Sequence, residues 1–167
     1  GGGDASLGDI GSRFPLDGSD FHILVPSLLP EVKPLNLLSL WPLVPGEAEY
    51  EYTRRYTFSC LPVDIFGRIL ASSLYIDGTR QLAMWRRGYV IKLGPEVAFL
   101  ELEPKRYHLR LAVRSPRVVE LEQSLQQSQL LHSLVSMIDT LVEAYYLPLK
   151  TTLLKSIECP HCAEKRD

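Results

Sequence analysis

Cysteine is scarce in this chain of 167 residues, which contains only Cys60, Cys159 and Cys162. An odd number at such uneven spacing does not make a disulfide framework, so the sequence predicts a reducing, cytoplasmic setting. Long apolar runs are also missing, and none approaches the roughly 18 residues that a membrane-spanning helix needs. Neither sign of charge dominates, since 18 basic and 20 acidic residues give a net charge of -2. That balance argues against a strongly cationic nucleic-acid-binding protein.

The sequence motifs of nucleotide binding and ester hydrolysis are absent as well. There is no G-x-x-x-x-G-K-S/T loop, no G-x-G-x-x-G sequence after a predicted strand and no G-x-S-x-G elbow. The four histidines are scattered and pair with no acidic motif. Cys60 has no base placed beside it, and we predict that it is a small buried side chain facing the sheet. The sequence therefore predicts that this chain is not an enzyme and holds no nucleotide.

Composition divides the chain into three parts. Residues 1–20 hold six of the eleven glycines and few large apolar side chains, which predicts a flexible leader or linker. Residues 21–158 form the predicted domain, and residues 159–167 are interpreted as the start of a following segment. Within the domain, residues 26–45 hold five of the twelve prolines among leucines and Trp41. Because proline blocks regular structure, we expect an extended segment that lays apolar side chains over a core.

Hydrophobic periodicity predicts an α+β fold. Alternation from Tyr52 to Cys60 predicts a strand, and Pro62 suits the first turn of a helix over about 62–74. Three further strands, over about 82–93, 97–103 and 107–114, are separated by turns short enough to require antiparallel pairing. An apolar stripe without Gly or Pro predicts one helix of about 28 residues over 118–146. The expected architecture is an antiparallel sheet of about four strands, strand-helix-three strands, packed against a short helix and one long amphipathic helix.

The sharpest local motif is Cys159-Pro160-His161-Cys162. Two thiolates at this spacing can bind one tetrahedral zinc ion, and His161 could be a third ligand. A closed zinc site needs four ligands, so the motif would be an incomplete half-site. The alternatives are a tail with no metal, a redox pair, or adventitious metal binding.

A basic stretch between residues 80 and 117 gives a second candidate function. Only three glutamates oppose its nine basic residues, Arg80, Arg86, Arg87, Lys92, Lys105, Arg106, Arg110, Arg114 and Arg117. Such a surface could bind an acidic partner domain, a phosphate-bearing ligand or a nucleic acid. The ordinary alternative is a solvated sheet face balanced by the acidic long helix.

Surplus apolar residues favour an interaction surface. We expect the leucines around Trp41, Met84 and Val90 on the strand face opposite Trp85, and Tyr146-Leu147 to exceed what one core needs. Surplus apolar surface commonly marks an interface, and a two-fold homodimer is its commonest form.

Three segments resemble a known family. LVPSLLPEVKP (24–34) resembles the opening of the C-terminal half of the COR domain, the "C-terminal of Roc" module of Roco proteins. RRYTFSCLPVDIFGRILASSL (54–74) resembles that family's strand, Leu-Pro and helix with an Arg before an apolar pair. MWRRGYVIKLG (84–94) resembles its Trp-Arg-x-Gly strand, and some Roco chains carry Cys-Pro-x-Cys after the long helix.

The resemblance, which covers about residues 21–162, implies a role that composition and spacing do not. Roco proteins join a Ras-like GTPase domain, Roc, to COR, often with leucine-rich repeats and sometimes a kinase. The C-terminal half of COR is associated with dimerisation and with GTPase regulation. The resemblance thus implies a non-catalytic dimerisation and domain-interaction module, whose partners are a second copy, Roc and the N-terminal COR subdomain. GTP or GDP would bind only through Roc, whose motifs this chain lacks.

Overall fold

The computed structural model describes residues 25–116, 128–146 and 153–157. The predicted leader 1–20 and the tail 159–167 lie outside these residues. None of the helices in the described ranges combines the length and the apolar character that a membrane-spanning helix requires.

The described strands form one antiparallel sheet, which confirms the α+β class. Its spatial order is β2-β3-β4-β5-β1-β6, so β2 and β6 are the edges. There are six strands rather than about four: β1 (Glu49–Thr57), β2 (Thr79–Trp85), β3 (Gly88–Leu93), β4 (Glu96–Glu103), β5 (His108–Pro116) and β6 (Leu154–Ile157).

One extra strand arises because the segment predicted as a single strand over 82–93 is a hairpin. Trp85 pairs with Gly88 across a two-residue turn formed by Arg86 and Arg87. The turn reverses the alternation of side chains, so Trp85 shares a face with Val90 and not with Tyr89. The prediction that Met84 and Val90 form surplus surface is therefore wrong. Val90 is fully buried beside Trp85, and Met84 packs against the core on the other face.

Three helices accompany the sheet in the described ranges. They are α1 (Leu37–Leu40), α2 (Ile65–Ser73) and α3 (Gln129–Tyr145), and two single 3-10 turns lie at Pro26–Leu28 and Pro104–Arg106. The short predicted helix over 62–74 is confirmed as α2, with Ile65, Phe66, Ile69 and Leu70 buried.

The long helix begins later than the apolar stripe predicts. Ser128 has a non-helical backbone (φ -46°, ψ 118°), and its hydroxyl accepts a hydrogen bond from the Leu131 N–H at 3.0 Å. A serine in this role caps a helix N-terminus. The predicted long helix is confirmed over Gln129–Tyr145, where α3 is 17 residues long. Its first part, over 118–127, lies outside the described residues, and the non-helical Ser128 shows that the helix is not continuous through residue 128.

The sheet is covered on both faces. We call the face under α2 and α3 the helix-side face, where Tyr56, Tyr89, Leu100 and Leu111 pack with Ile138 and other helix residues. The opposite face carries a smaller core of Trp85, Val90, Phe99 and Ala112. Trp41 covers that core. We call residues 25–45 the strap and this face the strap-side face.

Candidate functional site

The strap is fastened to the turn between β2 and β3. The Arg86 N–H donates a hydrogen bond to the Pro30 carbonyl at 2.7 Å, and its guanidinium bonds the Ser27 carbonyl at 3.0 Å and pairs with Glu31. Before this point Leu29 packs against the helix-side core, and beyond it Leu37 packs against the strap-side core. The strap therefore passes around the end of the sheet from one face to the other.

Trp41 holds the far end of the strap on the sheet. Only 8% of its surface is exposed, and its ring stacks on Phe99 with centroids 5.5 Å apart. The Arg114 guanidinium carbon lies 4.0 Å from the centroid of the Trp41 ring. Arginine over tryptophan is a favourable cation–π arrangement, and it is stronger when it is removed from water.

A half-buried carboxylate, that of Glu51, neutralises Arg114. The Arg114 side chain is 4% exposed, and its Nε donates to Glu51 Oε2 at 2.7 Å. The other oxygen, Glu51 Oε1, lies 3.4 Å from the Thr53 hydroxyl and 3.5 Å from Arg110 Nη2. One glutamate of β1 thus serves two arginines of β5. Such a partner is needed because an unpaired charge at this depth would be strongly unfavourable.

A cleft of about 400 Å³ opens between the strap and the sheet beside these residues. We call it the strap cleft. Lys33 stands at its side and pairs with Glu101 of β4 at 2.6 Å. The lining residues are Lys33, Pro34, Leu35, Leu37, Leu38, Trp41, Leu43, Phe99, Glu101, Arg110 and Arg114.

Several large apolar side chains of the strap are exposed. Six side chains, each at least 61% exposed, form what we call the strap patch: Leu28, Val32, Leu35, Leu38, Leu43 and Val44. Scattered apolar side chains are normal on a protein surface, but this concentration within 17 consecutive residues, 28–44, is not scattered. The expectation of surplus apolar residues around Trp41 is confirmed, although Trp41 itself is buried.

On the helix-side face, Asp139 of α3 joins three elements. It lies 3.6 Å from Arg54 Nη2 of β1 and 2.9 Å from Lys155 Nζ of β6. Burial raises the pKa of the Tyr56 hydroxyl, and the nearby Asp139 carboxylate raises it further. Tyr56 is therefore a neutral phenol that contributes to packing, and this group of charges holds α3 on the sheet.

A second polar group ties the end of α3 to the start of α2. Tyr146 donates its hydroxyl to Asp64 Oδ1 at 2.7 Å, and Arg68 Nε donates to Asp64 Oδ2 at 2.7 Å. These bonds, from Arg68 first and then Tyr146, lower the pKa of the Asp64 carboxyl. Burial and the bond to Asp64 raise the pKa of Tyr146 to about 12. Tyr146 is half-buried here, so it is not the surplus surface residue that the sequence predicts, and Leu147 lies outside the described residues.

Two predictions concern cysteines: a zinc site at residues 159–162 and a buried Cys60. Cys159, His161 and Cys162 lie outside the described residues, so their zinc site stays a prediction. Within the described residues no group of His, Cys, Asp and Glu side chains could hold a metal ion. The prediction for Cys60 is wrong: β1 ends at Thr57, so Cys60 falls in the following turn and its thiol is exposed.

The predicted basic stretch is divided between several places. Four of its residues, Arg80, Lys92, Arg110 and Arg114, point to the strap-side face. Arg86 and Arg87 form the β2–β3 turn, Lys105 and Arg106 the turn before β5, and Arg117 lies outside the described residues. Arg86 and Arg114 are engaged with Glu31 and Glu51. Within the described residues the basic stretch is therefore divided between the strap-side face and two turns.

Comparison with known families decides the identity of this fold. The family described as "C-terminal of Roc, COR-B domain" matches residues 49–167. The chain belongs to the COR-B family. This confirms the resemblance to the C-terminal half of COR, and it makes the chain a Roco-protein module. No curated protein matches it.

The COR-B match begins at Glu49, which is the first residue of β1. The strap and its patch therefore precede the matched COR-B region, although the strap packs on the COR-B sheet through Trp41. Sequence reasoning missed the set of Trp41, Glu51 and Arg114 because its members lie far apart in the chain. Val90 of β3, Phe99 of β4 and Ala112 of β5 are apolar, although each lies on the face opposite the helix-side core residues of its strand. Apolar residues on both faces of these strands were a signal that both faces of the sheet are buried.

Proposed function

We propose that this COR-B domain is a non-catalytic interaction module of a Roco GTPase signalling protein. It associates with a second copy and couples the neighbouring Roc GTPase domain to other domains. The family match supports the Roc connection. The ion-paired and hydrogen-bonded groups around Glu51, Asp139, Asp64 and Arg86 support a structural role, because each group joins two or more elements of the fold.

The strap patch is the observation that carries the proposal. Its six apolar side chains face water while the opposite side of the same strap covers a core. A segment that keeps large apolar side chains on both sides is suited to lie between two bodies, one of which is the COR-B sheet. Removing the patch from water is the favourable term for association, and each large side chain contributes roughly 1.5–3 kcal/mol when fully buried.

Self-association can be tested by light scattering over a concentration series up to roughly 100 µM, where a dimer of micromolar Kd is well populated. Leu35→Lys places a charge in the strap patch at a side chain that is 104% exposed. Val63→Lys is the matched control, since Val63 is equally exposed, at 104%, but precedes α2. We expect Leu35→Lys to lower the average mass and Val63→Lys to leave it unchanged.

One outcome of these assays would change the partner in the proposal, and another would contradict the proposal. A strictly monomeric wild-type chain would leave docking to Roc within one polypeptide as the remaining use of the strap patch. That use is measured by adding separately produced Roc domain and comparing the same two variants. Equal behaviour of Leu35→Lys and Val63→Lys in both assays would contradict the proposal.

A further inference from the structure

Two cations of the sheet lie side by side with no carboxylate to balance them. Arg80 of the edge strand β2 is directly opposite Lys92 of β3, on the strap-side face. Arg80 is exposed and Lys92 is half-buried. Among the residues that the structure describes, neither forms an ion pair, whereas Arg110 and Arg114 of the same face share Glu51. We call Arg80 and Lys92 the basic pair.

The immediate surroundings of the basic pair are apolar. On the strap-side face, the residue beside Lys92 on β4 is Val97, and the next residue of β3 on that face is Val90. Val90 belongs to the strap-side core and Val97 packs against it. Like charges at directly opposed positions destabilise a sheet, and valine neighbours do not compensate them. An anion brought to the basic pair would therefore stabilise this edge of the sheet.

The segment that precedes the strap carries the complementary charge. Residues 1–20, which we call the leader, have a net charge of -3, from one arginine and four aspartates, Asp4, Asp9, Asp17 and Asp20. Because the leader belongs to the same chain, its concentration at the basic pair is fixed by the length of chain between them. For short linkers this effective concentration is on the order of millimolar.

The leader is long enough to reach the basic pair. The strap is fastened at Arg86, and Arg80 lies six residues earlier on the same hairpin, roughly 20 Å away at about 3.3 Å per residue. Asp9 precedes Val25, the first described residue of the strap, by 16 residues. A glycine-rich segment of that length spans roughly 20–24 Å on average. The effective concentration of a tethered group is greatest when its average span matches the distance to be bridged.

A tethered acidic segment suits the basic pair better than a nucleic acid does. Two cations neutralise two phosphates, and nucleic-acid affinity depends on many such contacts. A segment of the same chain binds with few contacts, because the entropy of bringing two molecules together is not lost.

We propose that the basic pair binds the acidic leader of the same chain. Leader aspartates pair with Arg80 and Lys92, so that the leader crosses the β2 edge onto the strap-side face. The contact lies within one chain and does not depend on self-association through the strap patch. Salt should weaken it, because the distance over which exposed charges act falls from about 10 Å at 0.1 M salt to about 3 Å at 1 M.

Zero-length carbodiimide cross-linking of the whole chain tests this contact, because it joins a lysine amine to a carboxylate only where the two touch. The sample is an equal mixture of 14N-labelled and 15N-labelled chains, so mass spectrometry separates links within one chain from links between two. We expect links within one chain from Lys92 to leader aspartates. Lys105, exposed in the turn before β5, is the reference amine and should give several-fold fewer such links.

Variants of Arg80 test the second cation. Arg80→Gln should lower the yield of Lys92 links by roughly threefold, which is within the effect of one exposed ion pair. Arg80→Lys should retain the yield and add a link at residue 80. Arg106→Gln is the matched control, at a side chain 73% exposed, and should leave the yield unchanged. A salt concentration of 1 M should lower the yield in every chain that shows it.

Several results would overturn the inference. They are equal yields at Lys92 and Lys105, equal effects of Arg80→Gln and Arg106→Gln, and Lys92 links to carboxylates outside the leader alone. Leader links found only between 14N and 15N chains would make a second copy the source of the anion, and would overturn it as well. If Arg80→Gln fails to fold, the comparison of Lys92 with Lys105 in the wild-type chain decides. Because the links are counted within one chain, a monomeric wild type would contradict self-association and leave this inference standing.

Discussion

Gly88 is the position where one added methyl group should do the most damage. It is the first residue of β3, and the Trp85 indole lies directly over it. A Cβ at residue 88 would stand 2.1 Å from Trp85 Cζ2, 2.5 Å from Cε2 and 2.7 Å from the Leu100 carbonyl oxygen. All three separations are far below van der Waals contact. The φ angle of Gly88 is not positive, so the obstacle is space and not conformation.

Neither neighbour of Gly88 can move at low cost. The Leu100 carbonyl belongs to the backbone of β4, which pairs with β3 along its length. Trp85 is 1% exposed and packs on Phe99 with ring centroids 5.8 Å apart. Overpacking a core costs typically 1–3 kcal/mol, and displacing a buried tryptophan forfeits a comparable amount. We therefore expect Gly88→Ala to lower the free energy of unfolding by about 3 kcal/mol or more.

Urea unfolding followed by far-UV circular dichroism measures this change. Gly46→Ala is the matched control, because its Cβ would meet only the flexible Glu49 side chain, at 3.4 Å. It should leave stability unchanged or raise it by up to about 1 kcal/mol. Trp85→Leu should relieve the clash, so the double variant with Gly88→Ala should be less destabilised than the sum of the single variants. A loss within about 0.5 kcal/mol for Gly88→Ala, or strict additivity, would refute the placement of Trp85 over Gly88.

Three further predictions follow from α3, α2 and the tail. Ile138 is fully buried at the centre of α3, so Ile138→Ala should lower the free energy of unfolding by roughly 2–5 kcal/mol. Thr140→Ala, on the exposed side of α3, should change the free energy of unfolding by no more than about 0.5 kcal/mol. The pKa of the Asp64 carboxyl is lowered in the folded state from its ordinary value of 3.8. The ionised carboxylate therefore stabilises the fold at pH values above 3.8, and this stabilisation is lost as the pH falls through the lowered pKa of the folded state. Unfolding midpoints of wild type and Asp64→Asn should thus differ near neutral pH and converge in strong acid; a constant difference would contradict this. For residues 159–162 we expect weak zinc binding, with one ion per chain or one ion per two chains, measured by elemental analysis. Cys159→Ser should abolish this binding. An absence of zinc in protein purified without chelator would contradict the predicted half-site.

Much of the sheet was predictable because its strands carry period-2 alternation. The strands over 97–103 and 107–114 were placed to within two residues of β4 and β5. The error at Arg86-Arg87 has a physical cause: a turn of two arginines carries none of the Gly, Pro or Asn residues that usually mark a hairpin. Without that signal, the alternation continues through the turn and predicts the wrong face for Trp85.

The position of the strap on the sheet could not be predicted from the sequence. Its prolines correctly predicted an irregular covering segment, and Trp41 correctly belonged to an apolar cluster. No local pattern could reveal that the covered face is the one opposite the helices, because Trp41 meets Phe99 and Arg114 from far along the chain. For the same reason, the strap cleft could not be predicted from any one segment.

The Trp-Arg-x-Gly sequence at residues 85–88 now has a physical meaning that the resemblance alone did not supply. Gly88 has no side chain because Trp85, its partner across the turn, occupies that space. Arg86, between them, fastens the strap through the Pro30 and Ser27 carbonyls. One four-residue turn therefore both seals the strap-side core and fixes the segment that displays the strap patch. A change that displaces Trp85 from Gly88 should therefore also displace Arg86 and weaken its hydrogen bonds to the strap. Gly88→Ala should consequently weaken strap-dependent association even in molecules that remain folded. An association constant unchanged in folded Gly88→Ala protein would show that the strap is held independently of this turn.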